Sequence, residues 1–296
     1  MDEKTASKKR ILPKRSKIRA WELDALRGLA ILGVIWDHVM FDLGYMFYYE
    51  WQYLGAEGLL KASEFARAYH EGFLRVLGWP VFVFIFFFVS GTCTTFSRNN
   101  LFRGLKLALV AIAVSVVTYL IEEYMGMSGS FILFGVLHCL ALCILLYSLL
   151  ELLLKLTASK SQYYRYIKAG VYFLIAVALL IVNYTENVTL YDLNVHSATV
   201  QSNWDFAGMF VFTQEWWTAD YFPLLPFFAF FMLGASISPI AYPNKESLLP
   251  KLDGKWNKFL TIPGRYSLYI YLALQVIAVV VLCLVTWIAT GTIPFI

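Results

Sequence analysis

The sequence predicts an all-α, polytopic membrane bundle of about seven transmembrane helices with its N-terminus in the cytoplasm. Three observations carry that expectation. Of 296 residues, 59% are hydrophobic and only 15% charged, against about 25% charged in an ordinary soluble domain. The apolar residues gather in runs near the ~20 residues that cross a ~30 Å hydrocarbon core. The basic residues between the runs are unevenly shared: with the first segment inside, twenty Lys and Arg fall on its side and only Lys61, Arg67 and Arg75 on the other. That is the positive-inside pattern.

Residues 1–20 are polar and basic. They lack the apolar core of a signal peptide, so they are expected to stay attached as a cytoplasmic tail. Residues 21–296 then form a single transmembrane domain. The first span, 26–48, contains Asp37, His38 and Asp42 and has weak hydropathy; its length and flanks place it in the membrane. The second (79–97), third (104–123) and fifth (168–184) rest on apolar length alone. The fourth, 131–154, includes His138. The sixth, 221–240, opens Asp220-Tyr-Phe-Pro223-Leu-Leu-Pro226, and its prolines free carbonyls that neighbours or a wet cavity must satisfy. The seventh, 265–290, includes Gln275, a residue suited to bonding between helices.

Two outer segments are longer than connectors. Residues 49–78 alternate Glu57, Glu64 and Glu71 with Lys61, Arg67 and apolar positions, the pattern of an interfacial helix. Residues 185–220 hold Trp204, Trp216 and Trp217, either an aromatic belt or a platform for sugar rings. Asn183 and Asn187 begin short glycosylation-type patterns. Cys93, Cys139, Cys143 and Cys283 all fall in expected spans, as free thiols. Cys139 and Cys143 share a helical face without the further His or Cys a metal site needs, so no metal is expected. The net charge of +4 sits in the tail and loops, which speaks against a nucleic-acid partner. The composition fixes no oligomeric state and leaves room for a homo-oligomer.

Ionisable groups at membrane depth are costly and mark candidate sites. At 100° per residue, Asp24, Arg27, His38 and Asp42 fall within an arc of roughly 60°, with Asp37 on the opposite side. Arg27 lies about 16 Å along the helix from His38. Asp42, one turn beyond His38, is placed to hydrogen-bond the imidazole and fix its tautomer. His138 lies at a similar depth, near 10 Å inside its span. It either shares a cavity with His38 or serves structure. Asp220 is either a cavity acid or a helix N-cap. Arg98, Arg103 and Arg265, at the cytoplasmic ends, either meet phosphates or simply anchor the fold.

In order along the chain, several blocks are similar to one family. Trp21-Glu-Leu-Asp24-Ala-Leu-Arg27-Gly-Leu-Ala-Ile, followed by His38 and Phe41-Asp42, resembles the opening of the heparan-alpha-glucosaminide N-acetyltransferase catalytic-domain family in its small prokaryotic form. Phe88-Val-Ser90-Gly91-Thr, Ser97-Arg98-Asn-Asn-Leu-Phe-Arg103-Gly, Phe134-Gly-Val-Leu-His138, Asp220-Tyr-Phe-Pro-Leu-Leu-Pro and Gly264-Arg265-Tyr-Ser267-Leu-Tyr-Ile-Tyr follow, so the resemblance runs from residue 21 to about 276. Arg27 and His38 enclose ten residues, the Arg-x10-His spacing of the broader membrane acyltransferase group, whose Arg is linked to coenzyme A and whose His is linked to catalysis.

The resemblance implies a cell-membrane acyltransferase that takes acetyl from cytosolic acetyl-CoA and gives it to an extracytoplasmic saccharide. It implies His38, Asp42, His138 and Asp220 for the chemistry, and Arg27, Arg98, Arg103 and Arg265 for coenzyme A. Two departures bear on this. Family members often carry His-Gln-Pro where this chain reads Ala273-Leu274-Gln275. The histidine of the animal lysosomal branch, in the stretch after the first helix, has only His70 in a comparable region, without a surrounding motif. The rival expectation is a transporter that uses the same stripe as a relay; a single proline-broken span and no internal repeat count against it.

Overall fold

A computed structural model describes residues 19–125, 130–185, 206–212 and 218–294. Among the described residues there are helices and no strands. Helix α1 (Trp21–Phe41) widens into a π-helical turn at Asp42–Met46 and is followed by α2 (Tyr48–Tyr53) and α3 (Glu57–Glu71). Then come α4 (Phe73–Thr92), α5 (Asn100–Met125), α6 (Val136–Ala158) and α7 (Tyr164–Thr185). The last three are α8 (Leu224–Ala241), α9 (Lys258–Arg265) and α10 (Ser267–Thr290).

Among the described residues seven helices are long and apolar enough to cross a membrane, as the hydropathy runs predict. Two starts come earlier than expected because they take in charges that a hydropathy window scores as breaks: the first helix begins at Trp21 and the second at Phe73. Those charges are paired, Asp24 with arginines and Arg75 with Asp37. The fifth begins at Tyr164, one turn before Lys168, which pairs with Glu151. The fourth begins later than expected, at Val136. The preceding residues are not helical because side chains hold their N–H groups: Glu122 takes that of Phe131, Thr118 that of Ile132, and Thr218 that of Leu133.

Helix α8 is the centre of the bundle, packed by α7, α4 and α6, while α5 lies on α6 and α1 bridges α4 to α9 and α10. Its aromatic side chains join Phe87, Phe222, Tyr147 and Tyr172 in the main core, with Phe227 and Phe231 fully buried. Two glycines let α4 and α8 touch backbone to backbone. A Cβ at Gly91 would land on the Phe231 carbonyl, and one at Gly234 on the Phe88 carbonyl. Small residues at such crossings are what membrane helices use to approach closely. Across the same contact Ser238 Oγ donates to the Thr92 carbonyl at 2.5 Å, and Thr92 Oγ1 to the Gly234 carbonyl at 3.3 Å.

The segment 49–78 forms α2 and α3, and α3 is amphipathic, with Glu57, Lys61, Glu64 and Glu71 exposed and Ser63 and Ala66 buried. The π turn leaves carbonyls outside the α-helical ladder. Two of them are taken by α3: Ser63 Oγ donates to Leu43 O at 2.5 Å and Arg67 Nε to Gly44 O at 2.7 Å. Trp204, Trp216, Trp217, Asn187 and residues 1–18 of the basic tail lie outside the described residues, whereas Asn183 stands near the end of α7.

Replacing Gly91 by Ala should force α4 off α8 and cost about 1–3 kcal/mol, as overpacking does. A lowered thermal midpoint of the purified protein checks this. Gly170→Ala on α7, where an added Cβ meets nothing within 4 Å, is expected to leave the midpoint unchanged.

Candidate functional site

Two polar centres lie on α1, around Asp24 and His38, fourteen residues and so about 21 Å apart. The first surrounds Asp24, a carboxylate only 5% exposed. It takes Arg19 Nε at 2.6 Å and Arg265 Nε at 3.2 Å, with Arg27 Nη1 at 3.7 Å. The arginine of α9 arrives because α9 lies directly on α1: a Cβ at Gly28 would strike the Leu260 carbonyl, and one at Gly264 the Asp24 carbonyl.

Arg27 turns its second nitrogen, Nη2, to Cys93 Sγ at 2.8 Å. Arg103, from α5, donates Nη2 to Ser90 Oγ at 2.9 Å. Together Arg19, Asp24, Arg27, Cys93, Ser97 and Arg103 line an open cleft of about 310 Å³. Three guanidinium groups against one carboxylate make it cationic, the charge that suits phosphate or another anion. Of the expected arginines, Arg27 and Arg103 thus meet in one cleft. Arg265 reaches the same carboxylate from α9, and Arg98 stands exposed on the adjoining turn, outside the lining. Arg19, Cys93 and Ser97 were not singled out from sequence, where Arg19 counts as one more tail charge.

The second centre surrounds His38. Its Nδ1 lies 3.0 Å from the Val34 carbonyl, an acceptor only, so Nδ1 carries the proton in the neutral ring and Nε2 keeps the lone pair. The Tyr271 ring of α10 meets the imidazole edge to face at 6.3 Å between centroids. Asp42 is fully buried, but it does not orient the histidine as its spacing predicts. Gln275 Nε2 donates to its Oδ1 at 2.9 Å, and its Oδ2 has no partner. The backbone between them stays α-helical, with the Asp42 N–H on the His38 carbonyl; the imidazole Nδ1 is taken by the Val34 carbonyl instead, and α10 supplies the donor to Asp42.

Asp220 also belongs to this centre. It has a left-handed backbone, φ 52°. Its Oδ2 accepts Tyr271 Oη at 2.5 Å and the Val136 N–H at 3.1 Å. It therefore caps α6 across the chain rather than α8 in its own segment. Burial pushes its carboxyl up, opposed by His38, Tyr271 and the Val136 N–H.

His138 is occupied at both ring nitrogens: Nδ1 accepts the Gly135 N–H at 3.2 Å and Nε2 lies 3.0 Å from Ser115 Oγ. This places it at the mouth of α6, next to the residue Asp220 caps, with both nitrogens turned to partners other than His38. On the opposite face of α1, Asp37 pairs with Arg75 Nε at 2.8 Å and takes Tyr69 Oη at 3.3 Å. His70 on α3 packs among Phe41, Tyr45 and Tyr69, and its Nε2 has no hydrogen-bond partner. Burial and the Arg75 charge lower its pKa to about 4, against the opposing pull of Asp37 and the Met40 backbone.

The stripe on α1 is therefore a contact line. Asp24 meets Arg265 of α9, while His38 and Asp42 meet Tyr271 and Gln275 of α10.

A family model described as heparan-alpha-glucosaminide N-acetyltransferase, catalytic, matches residues 19–276, most of the chain and both polar centres. Nothing among curated proteins or solved structures matches it.

His70 provides a pH prediction. An unfolded chain takes up the proton near the ordinary 6.5, while the folded protein refuses it until about 4. Stability contributed by the neutral imidazole is thus present above 6.5 and lost as pH falls towards 4. The thermal midpoint of His70→Phe should vary less between those pH values than that of the unaltered protein. Equal slopes would show that His70 is not held neutral.

Proposed function

Since the chain belongs to the heparan-alpha-glucosaminide N-acetyltransferase catalytic family, a family of multi-pass membrane acetyltransferases, we propose that it moves acetyl from cytosolic acetyl-CoA to an amine or hydroxyl of an extracytoplasmic saccharide. The observation that supports this most is the pairing, on one helix, of an arginine-lined cleft with a histidine whose Nε2 is unprotonated in the neutral ring. In this reading the cleft faces the cytosol and His38 lies towards the outside of the cell membrane, an orientation that the positive-inside count supports.

In this reading Arg27 and Arg103, with Arg19 beside them, bind the coenzyme A phosphates. Planar guanidinium groups make charge-assisted, forked contacts to phosphate oxygens. Arg98 and Arg265 extend the positive field at the rim. The pantetheine arm runs along α1 and delivers the thioester near His38. There Nε2 takes the proton of the acceptor N–H or O–H as its heteroatom attacks the thioester carbonyl; the carbon–sulfur bond breaks and the thiolate leaves. The imidazolium so formed lies near the carboxyl of Asp220, which favours the charge. Asp42, held by Gln275, closes the far side of the same face with a free oxygen for the acceptor. His138, bound to Gly135 and Ser115, keeps the start of α6 in the shape that receives Asp220.

With labelled acetyl-CoA and an amino-sugar acceptor in proteoliposomes, His38→Ala should lose transfer by about 10²-fold or more, with its thermal midpoint kept. Full activity in that variant would remove His38 from the mechanism. Arg103→Ala and Arg27→Ala should each weaken acetyl-CoA binding by about 10- to 100-fold, the loss of one charged contact. Asp24 retains Arg19 and Arg265 when Arg27 is removed, so the fold should persist. Unchanged affinity in a thermal-shift titration would place the phosphates elsewhere.

A further inference from the structure

Helix α10 presents two side-chain donors, one turn apart, to the two carboxyls beside His38. Gln275 holds Asp42 and Tyr271 holds Asp220. The Tyr271 bond is the tighter, 2.5 Å against 2.9 Å, and the same tyrosine ring stands against the imidazole. Asp220 needs such a tie. It precedes α8 in a non-helical stretch with a left-handed backbone, so no helix sets the direction of its side chain. Two donors do, both on Oδ2. The Val136 N–H fixes it to α6 alone. Tyr271 is the donor that joins Asp220 to the α1–α10 contact where His38 lies.

We propose that Tyr271 is a positioning residue: its hydroxyl registers the Asp220 carboxyl with His38, while its ring packs against the imidazole, so that α10 sets the geometry of the acid and the base together. This rests on the reading of His38 as the group that takes the acceptor proton. Tyr271 itself need not touch either substrate. The titratable or charged groups facing Asp220 are His38 from α1 and Tyr271 from α10; His138, at the start of α6, is bound through Gly135 and Ser115.

Tyr271→Phe keeps the ring and removes the hydroxyl. In the full-length protein in proteoliposomes, kcat should fall by about 10²-fold, the scale of a small misplacement of a reacting group. KM for acetyl-CoA should stay within about twofold, since the tyrosine does not bind the donor. A hydroxyl donated to a carboxylate favours its charged form; without it the acidic limb of the pH–rate profile should move to higher pH. In an Asp220→Asn background the same Phe substitution should cost nothing more, because the two changes break one interaction. An unchanged kcat, or an equal further loss in the Asp220→Asn background, would overturn the proposal.

A second measurement does not depend on catalysis. In pH-difference infrared spectra, the carboxyl band absent from Asp220→Asn belongs to Asp220, and Tyr271→Phe should shift its titration upward. An unmoved band overturns the hold of Tyr271 on Asp220, whatever the activity. A moved band in a protein that transfers no acetyl supports that hold and retracts the acetyltransferase reading alone.

Discussion

The ion cluster at Asp24 is the interaction on which much of the arrangement depends. A carboxylate that is almost fully buried keeps its charge only when cations and hydrogen bonds replace the water it has lost. Here the cations come from the segment before α1, from α1 itself and from α9. One acid therefore ties three parts of the chain, two of them about 240 residues apart. It holds α9 on α1, and α9 leads straight into α10. That in turn brings Tyr271 and Gln275 level with His38 and Asp42. It also leaves Arg27 with one nitrogen for the acid and another for Cys93 at the cleft.

Much of the fold was legible because a membrane span announces itself by apolar length. What hydropathy misread were helix starts, and for the first two the reason is physical: a window counts Asp24 or Arg75 as hydrophilic, whereas arginines and Asp37 neutralise them within the bundle. The candidate site was legible in part. Helical periodicity put Asp24, Arg27, His38 and Asp42 on one face, and that face is the one α9 and α10 cover. It could not supply the partners, which come from more than 200 residues further along. The expected bond from Asp42 to His38 left out the competing partners: the Val34 carbonyl takes the imidazole Nδ1, and Gln275 binds the acid. Asp220 was read as acid or cap of its own helix. It caps α6, eighty-four residues earlier in the chain, a pairing that no local pattern encodes.

Helix α10 reads Ala273-Leu274-Gln275 where the sequence resemblance led to the expectation of His-Gln-Pro, and it carries no histidine. The amide of Gln275 and the hydroxyl of Tyr271 both reach carboxyls beside His38. In the proposed reaction the proton then falls to His38, with α10 contributing donors that hold acids rather than a base of its own.

The crossing of α4 and α8 has a consequence for how the sequence can drift. At Gly91 and Gly234 the obstacle to any side chain is the carbonyl of Phe231 or Phe88, a backbone atom present whatever residue stands there. A clash between two side chains can be relieved by shrinking the partner, so such positions wander together over time. A clash with backbone offers no such partner to change. These two glycines are therefore barred from compensated replacement: each must remain, or the helices must part. This joint in the bundle is specified by atoms that are absent, and its history should be one of stasis while the aromatic side chains around it exchange.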